Sequence, residues 1–177
     1  MCIRDRAGGA ELGRAAEVAG STLRAFGLAA EETGRVTDVM AKSFATSSLD
    51  MESFAEAMKT VAPIAKATGV SMEEASAMLG ALANNGIKGS IAGTALKKIL
   101  SDLHREGKPM TQTFKELSNQ NISLADANDL VGDRAKGALL VLTEQMGLVD
   151  ELTLSYKCRR RSASYGGGND GQHRRSV

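Results

Sequence analysis

AMLGALANNGIKGSIAGTALKKILSDL, Ala77 to Leu103, decides the fold, because it joins two amphipathic helix patterns through a turn rich in glycine and asparagine. Just upstream, Ser71 and Glu74 have the spacing of a capping box, in which hydroxyl and carboxylate each satisfy an amide that the first helical turn leaves unpaired. Ala75, Met78, Leu79 and Leu82 then recur at the three-and-four spacing of one buried helical face. Asn84, Asn85 and Gly86 stop that helix, since both residue types tolerate the left-handed backbone of a C-terminal turn. A second face follows at Ala92, Leu96, Ile99, Leu100 and Leu103, ending near Gly107 ahead of Pro109. Gly86, Gly89 and Gly93 put no side chain where two backbones approach. The prediction is an all-α, multi-helix bundle of short amphipathic helices around a central helix-turn-helix hairpin.

Short helices continue in both directions from the hairpin. Ala10 to Phe26 reads as a first helix weakened by Gly13 and Gly20, and Val36, Val39, Met40 and Phe44 mark a second beginning at Thr33. Ser48 is predicted to cap the next, whose stripe of Met51, Phe54, Ala55, Met58, Val61, Ala62 and Ala65 is the longest in the chain. Pro63 inside it removes an amide donor and crowds the carbonyl of Lys59, so the expectation is a kink near Thr60 or a split into two helices. Past the hairpin, Thr111 is placed as the cap of a short helix with Phe114 and Leu117, and Ser118 to Asn121 as loop. Ser123 and Asp126 imitate a second capping box before Leu124 to Leu130. Asp133 is predicted to cap a helix that Gly147 stops, and a last helical pattern begins at Leu148. No alternation supports a strand.

A length of 177 residues suits one moderate core. The net charge of +1 hides an asymmetry: residues 157–177 carry +5 and the rest of the chain −4. Residues 10–155 are expected to form the helical domain. Residues 1–9, with MCIRDR fitting no later pattern, read as a non-native or disordered leader. Residues 156–177 read as a disordered basic tail whose abrupt change of composition is what a shifted reading frame would produce. Cys2 and Cys158 lie in those two segments and support neither a disulfide framework nor a metal site. No apolar run approaches the roughly 20 residues of a membrane span, and the leader lacks the apolar core of a secretory signal, so the chain reads as soluble and made in the cytoplasm. Aromatics at 3%, with no Trp, leave little surface for stacking bases, so nucleic acid is not an expected partner.

NNGIKGSIAGTALKKIL, Asn84 to Leu100, resembles the signature of the core region of phage tail tape measure proteins. VAPIAKATGVSMEEASAMLGALANNG, Val61 to Gly86, and LRAFGL, Leu23 to Leu28, resemble the same family. So does LVGDRAKGALLVL, Leu130 to Leu142, although Val131 and Asp133 stand where the family more often has Phe and Lys. The resemblance spans roughly residues 20 to 153. It implies a virion structural protein, made in the host cytoplasm, that sets tail length as a helical ruler around which the tube polymerises. The partners it implies are tail-tube protein, tail-assembly chaperones, tail-tip proteins and other copies of the chain. At a rise of about 1.5 Å per residue even a wholly helical chain would span only about 270 Å, so the sequence reads as a fragment of a longer ruler. Within it, Asn84, Asn85, Gly86, Lys88, Gly89, Ser90, Gly93 and Thr94 form the candidate structural motif.

Signals for chemistry are weak beside that. Ser101, Asp102 and His104 are near one another in sequence, but adjacency does not supply the geometry of a triad. Glu31-Glu32 and Glu73-Glu74 sit where helices begin, which suits the macrodipole better than acid catalysis. The glycines match neither phosphate-loop nor dinucleotide spacing. Cofactor, metal and small-molecule substrate are therefore not expected, nor is an enzyme. Two alternatives stand: a helical interaction module not of phage origin, and a cell-wall-degrading tail enzyme fragment. Apolar faces left exposed after packing would indicate self-association.

Overall fold

The computed structural model describes residues 3–104 and 109–157, with the side chains described from Gly13 onward. The architecture is all-α: α1 (Ile3–Phe26), α2 (Thr33–Thr46), α3 (Met51–Ala67), α4 (Met72–Asn84), α5 (Gly89–Leu103), α6 (Met110–Asn119), α7 (Leu124–Val131), α8 (Lys136–Glu144) and α9 (Met146–Lys157), with a single 3-10 turn at Ala30–Glu32. Among the described residues there is no strand.

The ends of three helices repeat one device. After α1, α3 and α4 a glycine with positive φ (Gly27, Gly69, Gly86) turns the chain, and the next residue's amide reaches back five positions. Those bonds are Leu28 N to Leu23 O at 2.9 Å, Val70 N to Ala65 O at 2.8 Å and Ile87 N to Leu82 O at 3.0 Å. Each satisfies a carbonyl the helix end would orphan, and each pulls an apolar side chain over the last turn.

The core is built around α4. From Met72 to Ala83 every residue of α4 except Glu74 is buried, so this helix is packed on all sides rather than along one stripe. Helix α9 covers it over Gly80, where Leu152 Cδ1 lies 3.8 Å from the position a Cβ would take. Within it Met78, Leu79 and Leu82, and around it Phe54, Leu96, Ile99, Leu100, Phe114, Leu139 and Leu142, are fully buried. Phe44 and Phe54 meet edge to face at 5.6 Å. The turn at Gly86 joins α4 to α5, yet each lies mainly on another helix: α5 on α3, and α4 on α9.

Several boundaries differ from the sequence prediction. The first helix reaches back to Ile3 rather than beginning at Ala10. Ser48 does not cap α3. Asp50 does, its carboxylate accepting from Ser53 N at 2.8 Å, while Ser48 uses its amide to donate to Asn84 Oδ1. Asp133 does not cap α8 either. The preceding Gly132 has φ 75°, its carbonyl takes the amides of Ala135 and Lys136, and the helix starts two residues late with the Asp133 carboxylate bound to Lys136. Thr111 is likewise inside α6, which Pro109 precedes. Pro63 leaves α3 a single helix: it lies on the exposed face one turn from the end, where water can serve the carbonyl of Lys59. The break between α8 and α9 falls at Gln145, and Gly147 is inside α9. Tyr156, assigned to the tail by composition, is buried and shares a 2.9 Å hydrogen bond with Thr46 Oγ1, so the folded unit runs to Lys157. Residues 158–177, and the expectation about them, lie outside the described residues.

Candidate assembly surface

The motif from Asn84 to Thr94 divides into a turn, a close packing point and an outward face. In the turn, Asn84 Oδ1 accepts from Ser48 N at 2.8 Å and Asn85 Nδ2 donates to Ala81 O at 2.9 Å, so the two amides tie the end of α4 to the α2–α3 connection and to itself. Gly86 supplies the left-handed residue with φ 81°. Lys88 stands in the N-cap position of α5 without a side-chain cap, and its charge adds to the Ser53 hydrogen bonds that hold Asp50 below its ordinary pKa.

Gly93 makes the crossing of α5 on α3. A Cβ there would stand 2.8 Å from Ala57 Cα and 3.0 Å from Ala57 O, backbone atoms that cannot swing aside. At Gly89, with φ 59°, a Cβ would lie 2.7 Å from Glu56 Oε2, and the backbone conformation already favours glycine. The three motif glycines thus turn the chain, open α5 and let it nest on α3.

The other face of α5 looks outward. Ser90, Ile91 and Thr94 are exposed, and with Ala95 and Lys98 they form one wall of a shallow pocket of about 440 Å³ completed by Arg134 and Ala135 of the α7–α8 turn. Most of that wall is apolar, and Ile91 is 72% exposed. Lys98 is held by Asp102 at 2.7 Å, which also engages the one acid of the Ser101, Asp102, His104 trio.

A charged cluster that the sequence did not reveal lies at the junction of α2, α4 and α9. Glu73 is 2% exposed and is gripped by Arg35 through both oxygens, Nε to Oε1 at 2.6 Å and Nη2 to Oε2 at 2.9 Å, while Arg35 Nη1 also donates to Glu32 at 2.9 Å. Burial disfavours the Glu73 carboxylate, but the Arg35 hydrogen bonds and charge outweigh it and hold the carboxyl below its ordinary value. Arg35 is raised in turn, chiefly by its hydrogen bonds to Glu73. Glu74 closes the capping box with Ser71 and reaches Lys157 at 3.2 Å. Both carboxylates of the Glu73-Glu74 pair are therefore committed to structure. Arg35 and Glu73 are 38 positions apart, and Glu73 stands beside Glu74 where acids suit any first helical turn, so nothing local in the sequence marks the pair.

Among the described residues no group of three His, Cys, Asp or Glu could hold a metal ion, and no helix is long and apolar enough to cross a membrane.

Comparison with known proteins matches residues 5–153 to the family described as phage-related minor tail protein. Over 145 residues the chain is 39% identical to the tape measure protein of Pneumococcus phage Dp-1, an alignment covering 82% of this chain and 12% of that protein. Over 93 residues it is 36% identical to a probable tape measure protein of Escherichia phage P2, covering 52% of this chain and 11% of that one. The chain thus corresponds to a small part of the length of either relative. No solved structure matches it significantly.

Proposed function

The chain belongs to the phage-related minor tail protein family, and from that premise we propose that it is a folded segment of a tape measure protein that serves tail assembly as a docking unit and does no bond-making chemistry. The match over residues 5–153 carries this reading, because it covers the bundle and not one motif within it.

The fold bears on what such a segment contributes. Residues 5–157 as one continuous helix would run about 230 Å, whereas the longest helix here, α1 with 24 residues, spans about 36 Å. Folded this way the segment adds little length, and measuring falls to the remainder of the relatives' much longer chains. What the bundle offers is a fixed shape with an apolar, cation-rimmed face along α5. Tail-tube protein, tail-tip proteins and assembly chaperones are the partners this role implies, met in the host cytoplasm before the tail is complete.

Deletion of residues 5–157 in a phage that carries the segment tests this through electron microscopy of the particles. Tails should fail to form in normal number. Tails in normal number would overturn the docking role, and tails shortened by about 230 Å would make the segment a stretch of the ruler.

A further inference from the structure

We propose that Asn85 is a site of spontaneous deamidation that the fold holds in check, and that its conversion is a one-way change that spoils the turn between α4 and α5. Asn85-Gly86 is the sole asparagine-glycine pair in the chain, and Asn84, Asn85 and Gly86 are all exposed to water.

The chemistry needs only the chain's own atoms and water. The Gly86 nitrogen gives up its proton and attacks Asn85 Cγ; the Cγ–Nδ2 bond breaks, and the side-chain nitrogen leaves with a proton as ammonia. Water then opens the cyclic imide at either carbonyl, giving an aspartyl or an isoaspartyl residue. Glycine at the following position leaves the attacking nitrogen uncrowded. Asn84 lacks that advantage, because the Asn85 side chain follows it and its own Oδ1 accepts from Ser48 N.

Three features of the folded turn oppose the first step. Closing the imide requires the Asn85 Cβ to eclipse the Gly86 nitrogen across the Cα–C bond. At ψ 15° the residue's own nitrogen nearly eclipses it instead, and Cβ stands to one side. The attacking nitrogen is also occupied, donating to Ala83 O at 3.0 Å, and the departing Nδ2 donates to Ala81 O at 2.9 Å. Reaction therefore waits for the last turn of α4 to open, a local event that does not require global unfolding.

After conversion the turn cannot be rebuilt as it was. Either product lacks the donor that Ala81 O receives, and sets a carboxylate at the C-terminal end of α4, where the helix dipole is already negative. The isoaspartyl form also lengthens the main chain by one carbon, and Ile87 N must still reach back to Leu82 O across it. Gly89 and Gly93, which seat α5 on α3, follow directly from that turn.

Trypsin cuts after Lys66 and Lys88 and releases residues 67–88 as one peptide, so mass spectrometry with isoaspartate-specific methylation reads Asn85 in the full chain. In neutral buffer the folded chain should convert at least roughly tenfold more slowly than the same chain in urea, a ratio for which an opening cost of about 1.4 kcal/mol suffices. Asn84→Ala removes the tie to Ser48 and keeps both reacting groups. It should speed the folded reaction and leave the reaction in urea unchanged. Asn85→Asp should melt below Asn85→Ala, which loses the same donor without adding the charge. Equal rates for the folded and unfolded parent, no conversion at Asn85 in urea, a folded Asn84→Ala chain no faster than the parent, or Asn85→Asp as stable as Asn85→Ala would each overturn the proposal. The comparison of the parent with itself in urea does not depend on any variant folding.

Discussion

Replacing Gly93 by alanine sets two effects of known sign against each other. In the interior of an exposed helix the change stabilises by about 1 kcal/mol, because alanine loses less backbone freedom on folding. Here the added methyl would sit 2.8 Å from Ala57 Cα and 3.0 Å from Ala57 O, well inside ordinary contact, and both obstacles are backbone. Neither can rotate away, so α5 must lift from α3, loosening the packing between two helices that bury Phe54 and Val61 on one and Leu96 and Leu100 on the other. Overpacking of this kind costs about 1–3 kcal/mol. A clash with main chain belongs at the upper end of that range, which leaves a net loss of about 1–2 kcal/mol. Gly13→Ala is the control: it lies within α1 with nothing within 4 Å of the new carbon, and should gain about 0.5–1 kcal/mol. Urea unfolding followed by circular dichroism reads both, and thermal midpoints should move by about 2–4 °C per kcal/mol for a folded unit of this size. If Gly93→Ala proves as stable as the parent, or more so, then α5 does not depend on that close approach and the explanation of the motif fails.

Asp50→Ala should cost about 1 kcal/mol through loss of the α3 cap, whereas Ser48→Ala should stay within about 0.5 kcal/mol, a contrast that thermal melts of the two variants can check. Arg35→Leu should cost about 2 kcal/mol by leaving Glu73 buried without its partner, a figure kept low because the guanidinium itself is 42% exposed. Glu73 titrates below its ordinary 4.5 in the folded chain, so the stability it confers is present above that pH and is lost as pH falls through the lower folded value. Melting temperatures taken down to about pH 3 should therefore fall more steeply for the parent than for Glu73→Gln. Leu96→Asp places a charge where the side chain is fully buried and should abolish cooperative unfolding; unchanged helicity together with an unchanged melting point would contradict that assignment of the core.

Features confined to a few consecutive residues were legible in the sequence. Ser71 and Glu74 are three positions apart, as are Ser123 and Asp126, and each pair forms its box from local atoms alone. The buried faces of α3 and α5 follow the helical period for the same reason. Choices settled by distant contacts were not. Ser48 and Asp50 are equally good caps by type, and the side chain of Asn84, 36 positions away, engages the amide of Ser48. Asp133 fails as a cap because of the conformation of Gly132, and its side chain turns to Lys136. In the candidate surface, Gly89 and Gly93 could be recognised as places of close approach, but not that α3 rather than α4 was the helix approached. Composition misplaced Tyr156 because the Arg, Ser and Gly that follow it mask one aromatic side chain whose burial depends on α2.

The last turn of α9 is fastened at three consecutive residues: Lys42 Nζ donates to Ser155 O at 2.7 Å, Tyr156 joins Thr46, and Lys157 joins Glu74. A helix end held by one backbone bond at a time peels under load, each turn giving way before the next is strained. Here the end is held on α2 through Ser155 and Tyr156 and on α4 through Lys157. Fraying of α9 from its end must therefore break side-chain ties to two helices as well as its own backbone bonds.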